Sequence, residues 1–169
     1  MRNHSCCFTG HRQIAAEDVD TLGQRIERAV LKCLELGIYR FYNGGAVGFD
    51  TVAAAHVLRL KQFHPEIELH MVLPCREQTA KWSSQQSRTH YNILSRATSV
   101  EYVSNAYTPT CMKERNYRMV EASCACICYY DPSHSASGTG QTVRAAQRKG
   151  LLLLNCKGPI QGNRSYFDI

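Results

Sequence analysis

"RFYNGGAVGFDTVAAA", residues 40–55, is the clearest clue to the architecture. A short aromatic run with strand character meets a glycine-rich turn, and an alanine-rich helical segment follows with Asp50 near its start. Paired glycines allow positive φ and let a ligand approach the backbone with no Cβ in the way. The same lack of side chains suits a tight strand-to-helix turn, so the stretch reads as both punctuation and cradle.

The alternation repeats on either side. "CCFTG" (residues 6–10) is an apolar run ending in a turn. Val19, Leu22, Ile26, Ala29, Val30, Cys33 and Leu34 then recur at helical spacing, and Gly37 ends that helix. "YRFYN" is the second strand and residues 50–62 the second helix. "IELHMVLP" (residues 67–74) is a third strand, stopped by its proline, with a helix over residues 84–97 after it. "SVEYV" (99–103) and "CACICYYD" (124–131) are further strands, with a helix over 108–123 between them. After "PSHSASGTG" comes a helix over 141–149, then "LLLL" (151–154) as a last, fully buried strand. Strand and helix in turn, with nearly continuous apolar strands, imply a parallel sheet covered on both faces. Right-handed crossovers make it doubly wound. The expectation is a Rossmann-like α/β fold, a mostly parallel sheet of about six strands. No linker divides the chain, which reads as a single domain over 1–169, with its core at 5–154 and a C-terminal tail at 155–169 that the pattern does not place.

Composition narrows the class. With 169 residues, 44% hydrophobic and 20% charged, the chain has the profile of one globular domain. No apolar run nears the roughly 20 residues needed to span a bilayer. "MRNHSCCFTGHR" lacks the apolar region of a secretory signal, so a cytoplasmic protein with no membrane partner is expected. Nine cysteines are odd in number and show no framework spacing, which points to reduced thiols. Cys124, Cys126 and Cys128 alternate onto one strand face and read as packed core rather than as metal ligands. Cys6 and Cys7 point to opposite faces, both into the core, and Cys75, past a strand end, is the thiol expected to be exposed. The formal charge of +6 favours anionic partners.

In doubly wound sheets ligands lie at the carboxyl ends of the strands, where helix N-termini point free N–H groups outward. Thr9, Gly10, His11 and Arg12 follow the first strand and supply a turn, a hydroxyl, an imidazole donor and a guanidinium for phosphate or carboxylate. Gly44, Gly45 and Gly48 follow the second, with Asp50 placed to cap a helix or meet ribose hydroxyls. Gly138, Thr139, Gly140, Gln141 and Thr142 follow the fifth and have the makings of an anion nest. Arg115 and Asn116 open a helix beside the same edge. There is no G-x-x-x-x-G-K-[ST], and no G-x-G-x-x-G after the first strand, which disfavours Walker-type NTPases and ordinary dinucleotide binding.

"FTGHR", "GGAVGFD", "LPCREQTAKW", "RNYRMVEAS" and "YYDPSHSASGTGQTV", in this order, resemble the SLOG superfamily, nearest its YpsA-like branch. More distantly, the chain is similar to the LOG phosphoribohydrolases and the DprA DNA-processing proteins. The resemblance covers about residues 5–154 and implies a Rossmann-like sheet that holds a nucleotide or nucleotide-derived ligand, often in a homodimer. It adds the segment 77–82 to the candidate site, where Trp82 either stacks on a base or fills the core. The LOG enzymes carry PGGxGTxxE, whose glutamate serves N-glycoside cleavage; here "ASGTGQTVR" puts Arg144 in that place. A cation cannot do a carboxylate's work there, and Asp50, Glu114 or Asp131 would have to substitute. Binding or sensing of a nucleotide-derived ligand is therefore the leading expectation, with nucleotide N-glycoside hydrolysis second. Single-stranded DNA binding is third: Lys113, Arg118, Arg144, Arg148 and Lys149 are basic, but the sequence shows no interleaved aromatics. No cofactor or metal is implied.

Overall fold

The computed structural model describes residues 2–158. Its strands are β1 (Ser5–Gly10), β2 (Arg40–Asn43), β3 (Glu68–Cys75), β4 (Ser99–Ser104), β5 (Ala125–Tyr129) and β6 (Leu152–Asn155). The helices between them are α1 (Leu22–Glu35), α2 (Phe49–Lys61), α3 (Ser84–Arg96), α4 (Cys111–Glu121) and α5 (Gly138–Arg148). All neighbouring strands pair in parallel, in the order β4-β3-β2-β1-β5-β6. The chain therefore steps outward from β1 to β4, crosses back, and resumes beside β1 at β5. That reversal between β1 and β5 opens the crevice where such sheets bind ligands.

The two faces are packed differently. α1, α2 and α3 share one face, where Ile26, Val30, Ala53, Val57 and Ile93 meet Cys6, Phe8, Phe41 and Leu69. α4 and α5 cover the other, where Met119, Val120, Val143 and Ala146 meet Cys7, Cys126 and Cys128. The strand period of two thus sends Cys6 and Cys7 to opposite cores. All nine cysteines are free, and every one except the half-buried Cys124 is buried.

Several sequence expectations change. Val19 is exposed and precedes α1, and α4 begins at Cys111, so Arg115 and Asn116 lie within it rather than open it. Cys75 is buried and closes β3 rather than lying exposed beyond it. Pro74 does not stop that strand: β2 ends its pairing at Asn43 with Met71, so the missing N–H of Pro74 can face an unpaired side. β6 is an edge strand, with Leu152 and Leu153 only half-buried. α5 starts three residues early, at Gly138, because Ser137 caps it by accepting the Gly140 N–H at 3.1 Å. Of the tail, residues 155–158 are described and the rest of that segment lies outside the described residues.

A buried ion cluster ties that stretch down. Asp18, 1% exposed, accepts from Arg25 Nη1 (3.0 Å), Tyr129 Oη (2.7 Å), Lys157 Nζ (2.8 Å) and the Gly158 N–H (3.2 Å). Burial pushes its carboxyl pKa up, but hydrogen bonds from Lys157, Tyr129 and Arg25 outweigh burial and leave it below the ordinary carboxylate value.

Candidate functional site

At the carboxyl ends of β1 and β5 lies a cavity of about 360 Å³. The β1–α1 turn supplies Thr9, Gly10, His11 and Arg12; α4 supplies Met112, Arg115 and Asn116; Ala46 and Asp50 form one wall and Ser137, Gly138 and Thr139 another. Chain segments far apart in sequence thus meet at the switch point.

Asp50, 5% exposed, sits in the first turn of α2. Its Oδ2 accepts the Ala46 N–H at 3.2 Å, whereas its buried Oδ1 has no partner. Burial drives the carboxyl pKa up to about 6, against the opposing pull of Arg115, the Ala46 N–H and Arg12. Arg115, 4% exposed, donates from Nη1 to the Gly44 carbonyl at 2.5 Å and from Nε to Asn116 Oδ1 at 2.7 Å. Burial lowers its pKa, and the Asp50 charge counters that. The pocket floor is therefore a desolvated arginine beside a carboxylate whose second oxygen is unsatisfied.

His11 is half-buried, and the Asp131 N–H donates to its Nε2 at 3.0 Å. Burial, then the neighbouring His134, lowers its pKa, which favours the neutral ring. With Nε2 accepting, the proton belongs on Nδ1, and His11 can act as a donor. On the opposite wall Ser137 satisfies the Gly140 N–H, and the N–H groups of Gly138 and Thr139 have no intrahelical acceptor. Positive dipole and free N–H groups suit an anion there.

The glycine turn between β2 and α2 lies behind this lining. Gly44 packs flat on Arg115, where a Cβ would collide with Nη1. Gly45 (φ 67°) turns toward Leu73 and His90. Gly48 (φ 83°) lies against the Arg12 carbonyl, and the next N–H, on Phe49, donates to the His11 carbonyl at 3.2 Å. Asn43 braces the turn by accepting from Gly45 N (2.8 Å) and donating to the Asp50 carbonyl (2.9 Å). The turn positions Arg115, Asp50 and the Arg12 loop.

Trp82 lines a neighbouring chamber of about 570 Å³, edge-on to His90 with ring centroids 5.0 Å apart. Gln141 and Thr142 line a third cavity, a groove of about 660 Å³ between α4 and α5, with Lys113, Tyr117, Arg144 and Arg148. Gly140 packs against the Ser135 carbonyl. Nothing in the sequence marked Met112 or Ala46 as lining; Gln78 stood out only as part of segment 77–82, and Ser137 only as part of the hydroxyl-bearing turn before α5. The burial of Arg115 had a signal, since Cys111, Arg115 and Met119 stand at i, i+4 and i+8 on the buried face of α4. Among the described residues no group of three or more His, Cys, Asp or Glu could hold a metal ion, and no helix is long and apolar enough to cross a membrane.

Fold and cavity together define a Rossmann-like α/β protein with its candidate site at the sheet's switch point. The YpsA family model, described as the YspA SLOG family, matches residues 6–151, and the chain belongs to that family. It is 32% identical over 125 residues to the SPbeta prophage-derived protein YoqJ of Bacillus subtilis, covering 67% of this chain and 72% of that protein. With a UPF0398 protein of Halalkalibacterium halodurans it shares 28% over 113 residues, 66% of this chain and 60% of that protein. The match thus spans less than two thirds of that relative's length. In three dimensions it is similar to DNA processing protein A of Helicobacter pylori, a protein described for its single-stranded DNA binding mode. The TM-score is 0.63 at 16% identity, covering 99% of this chain and 71% of that one, a likeness of fold.

Proposed function

We propose that the protein binds a nucleotide or nucleotide-derived ligand in the switch-point pocket and acts as a binding or sensing module. The observation that carries this reading is Asp50 Oδ1, a buried acceptor without a partner in a pocket that also presents a buried arginine and a helix N-terminus. An unsatisfied buried acceptor costs about 1–3 kcal/mol, which a ligand hydroxyl reaching it would recover. In this arrangement Arg12 and the N–H groups of Gly138 and Thr139 hold phosphate, Asp50 takes ribose hydroxyls, and Thr9, Gly10, His11 and Asn116 complete the walls. Gly44, Gly45 and Gly48 keep those groups in place.

Hydrolysis of an N-glycosidic bond is the less supported use of the same pocket. Arg144 donates to the Ser135 carbonyl at 2.7 Å and lines the α4–α5 groove instead. Glu114 accepts from Thr110, and Asp131 Oδ1 accepts from Ser133, which leaves Asp50 as the lone carboxylate among the lining residues. A thermal-shift series with nucleoside monophosphates, nucleosides and inorganic phosphate tests binding, because a ligand of the native state raises the melting temperature. Chromatography for free base after incubation with the same monophosphates tests turnover.

One observation favours a second reading. The α4–α5 groove sets Tyr117, 64% exposed, among Lys113, Arg144 and Arg148. Folding thus creates the mix of ring and cation that the linear sequence lacks and that single-stranded nucleic acid uses. Oligonucleotide anisotropy at two salt concentrations, with Tyr117→Ala alongside, separates this from the nucleotide reading. Self-association as a homodimer accompanies the family likeness, and native mass spectrometry reads it directly.

A further inference from the structure

The switch-point pocket and the Trp82 chamber share Arg12 and Met112 as a common wall. That wall is light: Arg12 is exposed, and its side chain makes a single long hydrogen bond among the described residues, 4.0 Å from Nη2 to Met112 Sδ. A ligand that draws the Arg12 guanidinium onto its phosphate would join the two spaces.

The chamber beyond is lined by aromatic rings and by acceptor groups. Trp82 is half-buried, its ring set at 83° to the buried His90, and Tyr107, 64% exposed, lines the same space. Gln78 donates from Nε2 to the Gly44 carbonyl at 3.2 Å. A carbonyl only accepts, so this bond fixes the amide orientation and leaves Oε1 as the group without a partner; that atom is buried and unsatisfied. Glu77 supplies a second acceptor on the same lining, with one oxygen 3.5 Å from the Tyr107 N–H. Asp50 Oδ1 and Gln78 Oε1 are the only buried side-chain polar atoms among the described residues that lack a partner, and each belongs to one of these two adjoining spaces.

We infer that the Trp82 chamber is a nucleobase subsite that selects bases carrying an exocyclic amine, an inference that rests on the nucleotide reading of the adjoining pocket. An amine offers two hydrogens, and this lining carries two acceptors, Gln78 Oε1 and the Glu77 carboxylate. The edge of uracil sets a carbonyl oxygen on each side of its single N–H and would oppose both acceptors. Trp82 gives the base a face to lie on. Gln78 also contacts the carbonyl that Arg115 holds, so the base reader and the pocket floor meet at Gly44.

Calorimetric titration of the whole chain with ribose 5-phosphate and with the 5′-monophosphates of adenosine, guanosine, cytidine and uridine tests this. At least one amine-bearing nucleotide should bind about tenfold or more tightly than both ribose 5-phosphate and the uridine nucleotide. Gln78→Leu should erase the advantage over the uridine nucleotide, and Trp82→Ala the advantage over ribose 5-phosphate. Unchanged ribose 5-phosphate binding in each variant shows that the phosphate pocket is intact. If ribose 5-phosphate binds as tightly as every nucleotide, or Gln78→Leu leaves base preference unaltered, the base subsite is overturned and the anion pocket stands. If none of these compounds binds, the nucleotide reading itself falls, and this inference with it.

Discussion

Gly44→Ala measures how firmly the glycine turn holds Arg115. The new methyl would overlap Nη1 and lie 2.6 Å from Cζ of Arg115 if nothing moved. Gly44 is not among the glycines at positive φ, so alanine meets no backbone objection there. The end of an arginine usually swings aside at little cost. This one is 4% exposed and bound to both Gly44 and Asn116, so displacement breaks charge-assisted bonds in a dry site. Such bonds contribute about 1.5–3 kcal/mol. Replacing glycine returns about 0.4–1 kcal/mol through the unfolded chain. We expect a net loss of about 2 kcal/mol, or roughly 4–8 °C in melting temperature for a domain of this size. Urea denaturation of a double-mutant cycle with Arg115→Met provides the assay. With the Arg115→Met change already in place, the alanine should become neutral or mildly stabilising. An equal penalty in both backgrounds would refute the claim that the missing Cβ exists to seat the guanidinium.

Further outcomes follow from the charged groups and the thiols. Asp50 is raised from 3.8 to about 6 in the folded state, so the native protein holds its proton more tightly than the unfolded chain. Stability should therefore fall by about 2 kcal/mol between pH 4 and pH 7 relative to Asp50→Asn, and parallel pH profiles for the two proteins would contradict this. Asp18 is shifted the other way, so its contribution is present above about pH 3.8 and fades as pH falls through its lower native value. Asp18→Asn should cost about 3 kcal/mol or more at pH 7 and progressively less in acid, measured by denaturant titration. Ellman's reagent should label Cys124 at most in the native protein and all nine thiols after denaturation; fast native labelling of Cys75 would contradict its burial.

The architecture was legible because its elements carry their own periodicities. Cys6, Phe8 and the alternating cysteines mark strands, and Ile26, Val30 and Cys33 mark the buried stripe of α1. Boundaries failed where local chemistry and propensity disagree. The glycines at 138 and 140 argued against helix, yet the Ser137 cap starts α5 there. Pro74 reads as a stop until pairing shows β2 already finished beside it. Strand order is a long-range fact, so the burial of β6 was overestimated from four leucines that in place form an edge. At the candidate site, the residues singled out after β1 and at the start of α5 do meet around one cavity. What stayed hidden was the division of labour: which glycines line the cavity and which seat Arg115, and that Gln78 and Asp50 each keep an oxygen unpaired. The bonds that set Gln78 and Arg115 on Gly44 join side chains to backbone 34 and 71 positions away, which no local pattern encodes.

The proposed function requires one anion-accepting pocket where β1, α4 and α5 converge. Backbone amide shifts of isotopically labelled protein, followed during titration with adenosine 5′-monophosphate, test it most directly. Saturable changes should centre on Gly10, His11, Asp50, Gly138 and Thr139 and disappear in Arg12→Ala without loss of fold. Changes centred instead on Lys113 and Tyr117, or no saturable change at millimolar ligand, would contradict it.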